Sequence, residues 1–173
     1  QPDGKEETDV PQMIAILQWT TLAVCSLAAI ARIPSALRGE NRSLFFVYAF
    51  MTVAIVLSIE APYLAVDSVL GGTNLANLLL RFIIFGTGFF LGLRIARGFG
   101  ADDALRLITG PPGIVFAGAA SVAVVVVFLM MDTAGSSAGL IGVYDRDARN
   151  AALVEYYGAA GRLYPAYITL ALF

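Results

Sequence analysis

The sequence predicts an all-α, polytopic membrane helix bundle with about five transmembrane helices and its N-terminus outside. Hydrophobic residues occupy 58% of its 173 positions and charged residues only 14%, far from the composition of soluble domains. The apolar residues gather into runs of about 20, the length that an α-helix needs to cross a bilayer. The basic residues lie mostly at the edges of these runs. A nucleic-acid-binding protein, which needs a clustered basic face, is therefore not expected.

Five apolar segments are predicted to form the transmembrane domain, residues 13–173, after an acidic extracytoplasmic tail, residues 1–12. The predicted helices cover about 13–31, 44–64, 75–95, 114–131 and 151–173. The fifth is the least apolar, because Glu155, Arg162 and Pro165 interrupt it. The last residue stands inside an apolar stretch, so we expect the bundle to continue beyond the end of this chain.

The connections predict the orientation, because short loops rich in Arg and Lys stay on the cytoplasmic side. Two connections, 32–43 and 94–113, are Arg-rich and are expected to be cytoplasmic in a multi-pass protein of the cell (inner) membrane. Their arginines are Arg32, Arg38, Arg42, Arg94, Arg97 and Arg106. The connection between the second and third helices is expected to hold a short interfacial helix, with Thr73 or Asn74 capping the third helix. The Gly- and Ser-containing connection after the fourth helix is expected to be solvated or loosely packed.

One face of the third helix is polar or small. At 100° per residue, Asn77, Gly88 and Gly92 fall within about 40° of Arg81. Gly88 and Gly92 form a GxxxG pair, which lets a second helix approach closely in lipid. We therefore predict that this face points at protein. Arg81 either snorkels or pairs structurally, or it lines a polar cavity.

The fifth helix carries a similar stripe, formed by Glu155, Ala159, Arg162, Ala166 and Thr169. The two stripes predict that the third and fifth helices face a shared interior. We expect Arg81 to pair with Glu155 or with Glu60, because an unpaired charge at that depth is costly. Pro165 cannot donate to the carbonyl oxygen of residue 161 and is expected to kink the fifth helix.

Three stretches resemble a family of uncharacterised actinobacterial multi-pass membrane proteins often labelled transporters. They are "RIPSALRGENRSLFFVYAF", "DSVLGGTNLANLLLR" and "YYGAAGRLYPAY". The matching positions are Arg32 and Pro34, then Asp67, Gly71 and Asn74, then Tyr157, Pro165 and Tyr167. The resemblance implies about seven helices, an outside N-terminus and a cytoplasmic C-terminal domain, so this chain would be the N-terminal membrane half. It implies no catalytic or binding residues.

The expected function is that of a helical membrane subunit, or of a sensor or assembly component, held by polar-small helix faces. Its expected partners are the lipid bilayer and other transmembrane helices or subunits, with no nucleic acid. The alternative is a transporter or channel for a small solute, with Arg162 and Glu155 lining the path. An enzyme is not expected, because the chain has no His and a single cysteine, Cys25. The same inventory predicts no cofactor and no metal site.

Overall fold

The computed structural model describes residues 6–40 and 42–173, and side chains from residue 12 onward within them. Every regular element there is helical. The α-helices are α1 (Glu6–Leu37), α2 (Arg42–Val56), α3 (Glu60–Val69), α4 (Leu75–Phe99), α5 (Asp102–Thr109), α6 (Pro111–Met130), α7 (Ile141–Tyr144) and α8 (Ala148–Ala171), and a 3-10 turn, Ala138–Leu140, precedes α7. The acidic tail predicted at 1–12 lies mostly outside the described residues.

Three helices are long and apolar enough to cross a membrane: α1 from Gln12 onward, α4 and α6. α2 and α3 together are apolar enough to form a fourth span if they are counted as one broken span. The prediction of an all-helical protein is confirmed for the described residues, and the structure supports three to four candidate spans rather than five.

The second predicted span, 44–64, is not one straight helix. α2 ends at Val56, and α3 leaves it at an angle of 93°. Pro62 has no N–H to donate to the Ser58 carbonyl oxygen, and its ring would clash with that oxygen in a continuing helix. Pro62 is instead placed in the first turn of α3, where a missing donor costs nothing. The short helix predicted before α4 is therefore present, and it takes the last part of the predicted span.

The fifth predicted segment does form a helix, α8, which is 24 residues long. Its rise of 1.5 Å per residue gives a length of about 36 Å. It is not among the helices apolar enough to span a membrane on composition alone. Glu155 and Arg162 interrupt its apolar run, and tyrosines, glycines and Pro165 lower its hydropathy further.

The core lies where α4, α6 and α8 meet. Val124 and Tyr157 are fully buried there, and the ring of Phe85 stands edge-on to that of Tyr164 at a centroid distance of 5.4 Å. A second, smaller cluster joins α3 to α4 around Tyr63. α1 packs along α2 and leaves most of its apolar side chains exposed. The larger cluster places α8 beside two candidate spans, α4 and α6, and this neighbourhood positions the site described next.

Candidate functional site

A buried carboxylate caps the beginning of α4. Asp67, which has no exposed surface, accepts hydrogen bonds from the backbone N–H groups of Asn74 at 2.9 Å and Ala76 at 3.0 Å. It also accepts one from the hydroxyl of Ser136 at 2.5 Å. The first N–H groups of a helix lack partners inside the helix, and the positive end of the helix dipole favours an anion. Asp67 therefore supplies the cap that the sequence assigned to Thr73 or Asn74.

Asn74 stands at the N-cap position with a left-handed backbone, φ 59°, and its side chain makes no cap hydrogen bond. Asparagine tolerates this conformation better than most residues. Its side-chain oxygen instead accepts from the hydroxyl of Tyr63 and from the N–H of Ser137, both at 2.9 Å. Its amide donates to the carbonyl oxygens of Thr133 and Gly135. The four hydrogen bonds of its side chain thus tie the α6–α7 connection to the corner between α3 and α4.

The connection after α6 was predicted to be solvated or loosely packed; most of its residues are exposed, but it is not loosely packed. Leu140 and Val143 are almost fully buried. The carboxylate of Asp132 pairs with the guanidinium of Arg146 at 2.5 Å. The hydrogen bond from Arg146 holds the pKa of Asp132 below its usual value. Arg146 also donates to the carbonyl oxygens of Asp132 and Ala134. This end of the bundle, where α4 and α8 begin, is called the Asn74 end below.

Arg81 lies against an aromatic ring of α8 and not against an acid. Its guanidinium carbon is 4.9 Å from the ring centroid of Tyr157, within the range of a cation–π contact. Among the described residues, no carboxylate oxygen lies within 4.0 Å of its nitrogens. Glu60 and Glu155 are both exposed. The predicted pairing of Arg81 with either acid is therefore wrong for this structure.

Gly161 makes room for the arginine. A Cβ atom at that position would lie 2.9 Å from Cδ of Arg81 and 3.0 Å from its Nη1. A larger residue here would require the side chain of Arg81 to shift. Three polar atoms around this contact are enclosed without a hydrogen-bond partner: Asn77 Oδ1, Arg81 Nε and Tyr157 Oη. Such groups each cost free energy when buried, so this corner is a locally unfavourable part of the interface between α4 and α8.

The two glycines of the GxxxG pair have different surroundings. A Cβ at Gly92 would lie 2.6 Å from Cγ2 of Ile168, so Gly92 is a close contact between α4 and α8. A Cβ at Gly88 would meet nothing within 4 Å. Pro165, predicted as a packing residue, is half-buried beside Gly88, and α8 continues through it. The packing prediction therefore describes Gly92 well, whereas Gly88 has no close contact with a described element.

The polar stripe of α8 faces away from the bundle. All five of its residues are exposed, namely Glu155, Ala159, Arg162, Ala166 and Thr169. The opposite side of α8, with Tyr157, Gly161, Tyr164 and Ile168, is buried against α4 and α6. Neither Glu155 nor Arg162 has an ion-pair partner among the described residues. The prediction that the stripes of α4 and α8 face one shared interior is wrong, because α8 turns its apolar side inward.

Sequence reasoning did not assign a structural role to Asp67, Ser136 or Gly161. Asp67 appeared only as a position of the family resemblance, whereas Asn74 was also predicted as a possible cap of the third helix. The spacing of an acid, two glycines and an asparagine, "DSVLGGTN", was the available signal, since Asn and Gly are the residues that accept left-handed backbone. Nothing in the sequence pointed to Gly161 as the contact for Arg81.

The chain matches no family model, no curated protein and no solved structure in comparisons with known proteins.

Proposed function

We propose that this chain is a helical subunit of a membrane complex, in which the outward stripe of α8 binds a transmembrane helix of another polypeptide. The observation that carries the proposal is that Glu155 and Arg162 are exposed on α8 without ion-pair partners among the described residues. A side chain of this kind facing hydrocarbon costs roughly 2.5 to 3.5 kcal/mol at mid-membrane. A partner helix that meets these charges removes that cost.

The proposal includes α8 as a membrane-inserted helix. Its buried side packs against α4 and α6, and both of these are apolar enough to span. A helix held between two spans along its length shares their depth. The small residues Ala159 and Ala166 in the same stripe would let the partner backbone approach closely, as helix pairs in lipid require.

The orientation in the proposal follows from the arginine distribution. The ends of α1 and α4, and the starts of α2 and α6, lie next to the Arg-rich connections 32–43 and 94–113. These are proposed to be cytoplasmic, and the Asn74 end extracytoplasmic, in the cell membrane. The resemblance to the actinobacterial membrane proteins agrees with this orientation and stays a prediction.

The transporter alternative requires Arg162 and Glu155 to line a common path through the bundle. Both side chains instead lie on its outer surface. No observation at these residues favours transport, and it remains an untested prediction beside the subunit proposal.

Native mass spectrometry of the protein purified gently from its own membrane tests the proposal. The expected result is a stoichiometric complex that is lost in Arg162→Gln and Glu155→Gln. The matched control is Arg149→Gln, which removes an exposed arginine from the first turn of the same helix. A lone chain in the wild type, or a complex that survives both substitutions, contradicts the proposal.

A further inference from the structure

An apolar groove runs along α4 between α2 and α8. Its first part is a cavity of about 320 Å³, with Gly88 and Leu91 as its floor. Met51, Ala54 and Ile55 of α2 form one wall and Pro165 of α8 forms the other. A second cavity of about 610 Å³ continues from Gly88, Leu91 and Pro165 towards the end of α4. The shared residues make the two cavities one continuous groove.

The floor of the groove is shaped for a helix backbone. Three glycines of α4 can be compared directly. The space beside Gly86 is filled by the ring of Phe50, and that beside Gly92 by Ile168. The space beside Gly88 is empty within 4 Å of a Cβ position. In lipid, exposed glycine on a helix is the position at which a second helix approaches closely. Gly88 therefore offers such an approach that no described element of the chain uses.

The polar stripe of α8 begins at the rim of this groove. Gly161 faces α4, because it contacts Arg81. At 100° per residue, Pro165 then lies about 40° around α8, Arg162 about 100° and Glu155 about 120° in the same direction. A helix seated over Gly88 and Pro165 would consequently meet the stripe with its flank.

The charge at this level of the bundle is positive. Arg81 contacts Gly161, so it lies at the level of the neighbouring Arg162. Glu155 is seven residues away from Arg162, about 10 Å along the helix axis. Neither arginine has a carboxylate within 4.0 Å among the described residues. The complement of the exposed Arg162 is an acidic side chain at the same depth.

We infer that the groove is the seat of a transmembrane helix from a different polypeptide, which carries an Asp or Glu at the level of Arg162 and small residues facing Gly88. This inference rests on the proposed subunit function and names the chemistry of the partner. A second copy of this chain does not supply that chemistry. α1, the least buried of its three single-helix candidate spans, has no acidic residue between Gln12 and Leu37. The α8 of a second copy would lie parallel to that of the first in the same membrane. Its Glu155 would then be level with Glu155 of the first copy and not with Arg162.

Synthetic transmembrane peptides test the inference. The probe is a leucine-based helix with an alanine stripe, one central Glu and a photoreactive leucine beside it, reconstituted with the full chain in phosphatidylcholine vesicles. The comparison peptides carry Gln or Leu in place of Glu. We expect the Glu peptide to crosslink to residues lining the groove about tenfold more strongly than the Leu peptide, a difference of the size that one buried charge pair supplies.

Two variants with matched controls localise the binding. Gly88→Leu fills the floor and should abolish the crosslinks, whereas Gly118→Leu on α6, which is equally open, should leave them unchanged. Arg162→Gln should reduce crosslinking of the Glu peptide to that of the Leu peptide, and Arg149→Gln should leave crosslinking of the Glu peptide unchanged. Unfolding midpoints of all four variants establish that they are folded before crosslinking.

Each alternative outcome overturns the inference in a recognisable way. Equal crosslinking of the Glu and Leu peptides would show that the groove does not select a helix with an acidic side chain. If Arg162→Gln abolishes the crosslinks but Gly88→Leu does not, the partner lies on the stripe outside the groove, and the subunit proposal still stands. Crosslinks between two copies of the chain at the groove make the occupant a second copy. Displacement of the peptide by phosphatidylglycerol vesicles, but not by phosphatidylcholine, makes it a lipid headgroup.

Discussion

Arg81 of α4 rests on the ring of Tyr157 of α8, with 4.9 Å between its guanidinium carbon and the ring centroid. Gly161, one turn further along α8, leaves room for the arginine because it carries no side chain. An arginine that a salt bridge was expected to hold is instead held by an aromatic face and a glycine. This contact joins α4, which forms the floor of the groove, to α8, which carries the polar stripe.

Enlarging the glycine should destabilise this contact. In Gly161→Leu, the new side chain overlaps Cδ and Nη1 of Arg81, and overpacking of this kind costs about 1 to 3 kcal/mol. The matched control is Gly158→Leu, where a Cβ meets nothing within 4 Å. The free energy of unfolding in mixed detergent micelles is the measurement. Equal losses in the two variants would show that Arg81 is not confined by Gly161.

Removing the hydroxyl of Tyr157 should be neutral or slightly stabilising. The oxygen is enclosed without a hydrogen-bond partner, so Tyr157→Phe keeps the ring under Arg81 and removes a buried polar group. Tyr157→Leu removes the ring as well and should cost about 2 kcal/mol or more, as loss of a buried aromatic side chain does. The same unfolding assay compares the two. A loss above about 1 kcal/mol in Tyr157→Phe would indicate that the hydroxyl is hydrogen-bonded.

Asp67 should be essential for the Asn74 end of the bundle. Asp67→Ala leaves the N–H groups of Asn74 and Ala76 and the hydroxyl of Ser136 without their acceptor. Each buried unsatisfied group costs about 1 to 3 kcal/mol. We expect faster hydrogen exchange at the start of α4 and throughout 133–137. Asp145→Ala, at an exposed acid of the α7 end, is the control and should leave exchange at both segments unchanged.

The ion pair of Asp132 and Arg146 should make the α6–α7 connection sensitive to acid. The hydrogen bond from Arg146 lowers the pKa of Asp132 in the folded state. A carboxylate whose pKa is lowered in the folded state stabilises the fold at pH values above its ordinary, unfolded-state pKa of about 3.9. This stabilisation is lost as the pH falls through the lowered, folded-state pKa. Hydrogen exchange across 132–137, measured between pH 6 and pH 3, should therefore accelerate towards the acid end after correction for intrinsic exchange. In Arg146→Gln this additional acid dependence should disappear; its persistence would assign it to another group.

The sequence predicted the apolar helices because their pattern depends on composition alone. α4 and α6 lie close to the predicted ranges 75–95 and 114–131. The second span was mispredicted because a hydropathy run does not register the backbone break that Pro62 imposes. α8 is a helix, as predicted, but it is not among the candidate spans, and its proposed insertion depends on neighbours that composition does not describe.

The site was harder to predict because its contacts are long-range. Helical periodicity identified the stripe on α8 correctly, yet it could not say which side of the helix would be buried. Four inward residues, Tyr157, Gly161, Tyr164 and Ile168, fit against α4 and α6, and this packing turned the stripe outward. The hub at Asp67 joins residues up to 69 positions apart, a relationship that local spacing cannot reveal.

The most direct test of a protein-binding stripe is photocrosslinking in the native membrane from a single residue of α8. A photoreactive phenylalanine replaces Ala159, between Glu155 and Arg162, and in a second variant replaces Val122, an exposed apolar residue of α6. We predict a discrete protein adduct of constant mass from position 159 and only lipid adducts from position 122. Lipid adducts alone from both positions would contradict the account, because the charged stripe would then face the bilayer without a partner.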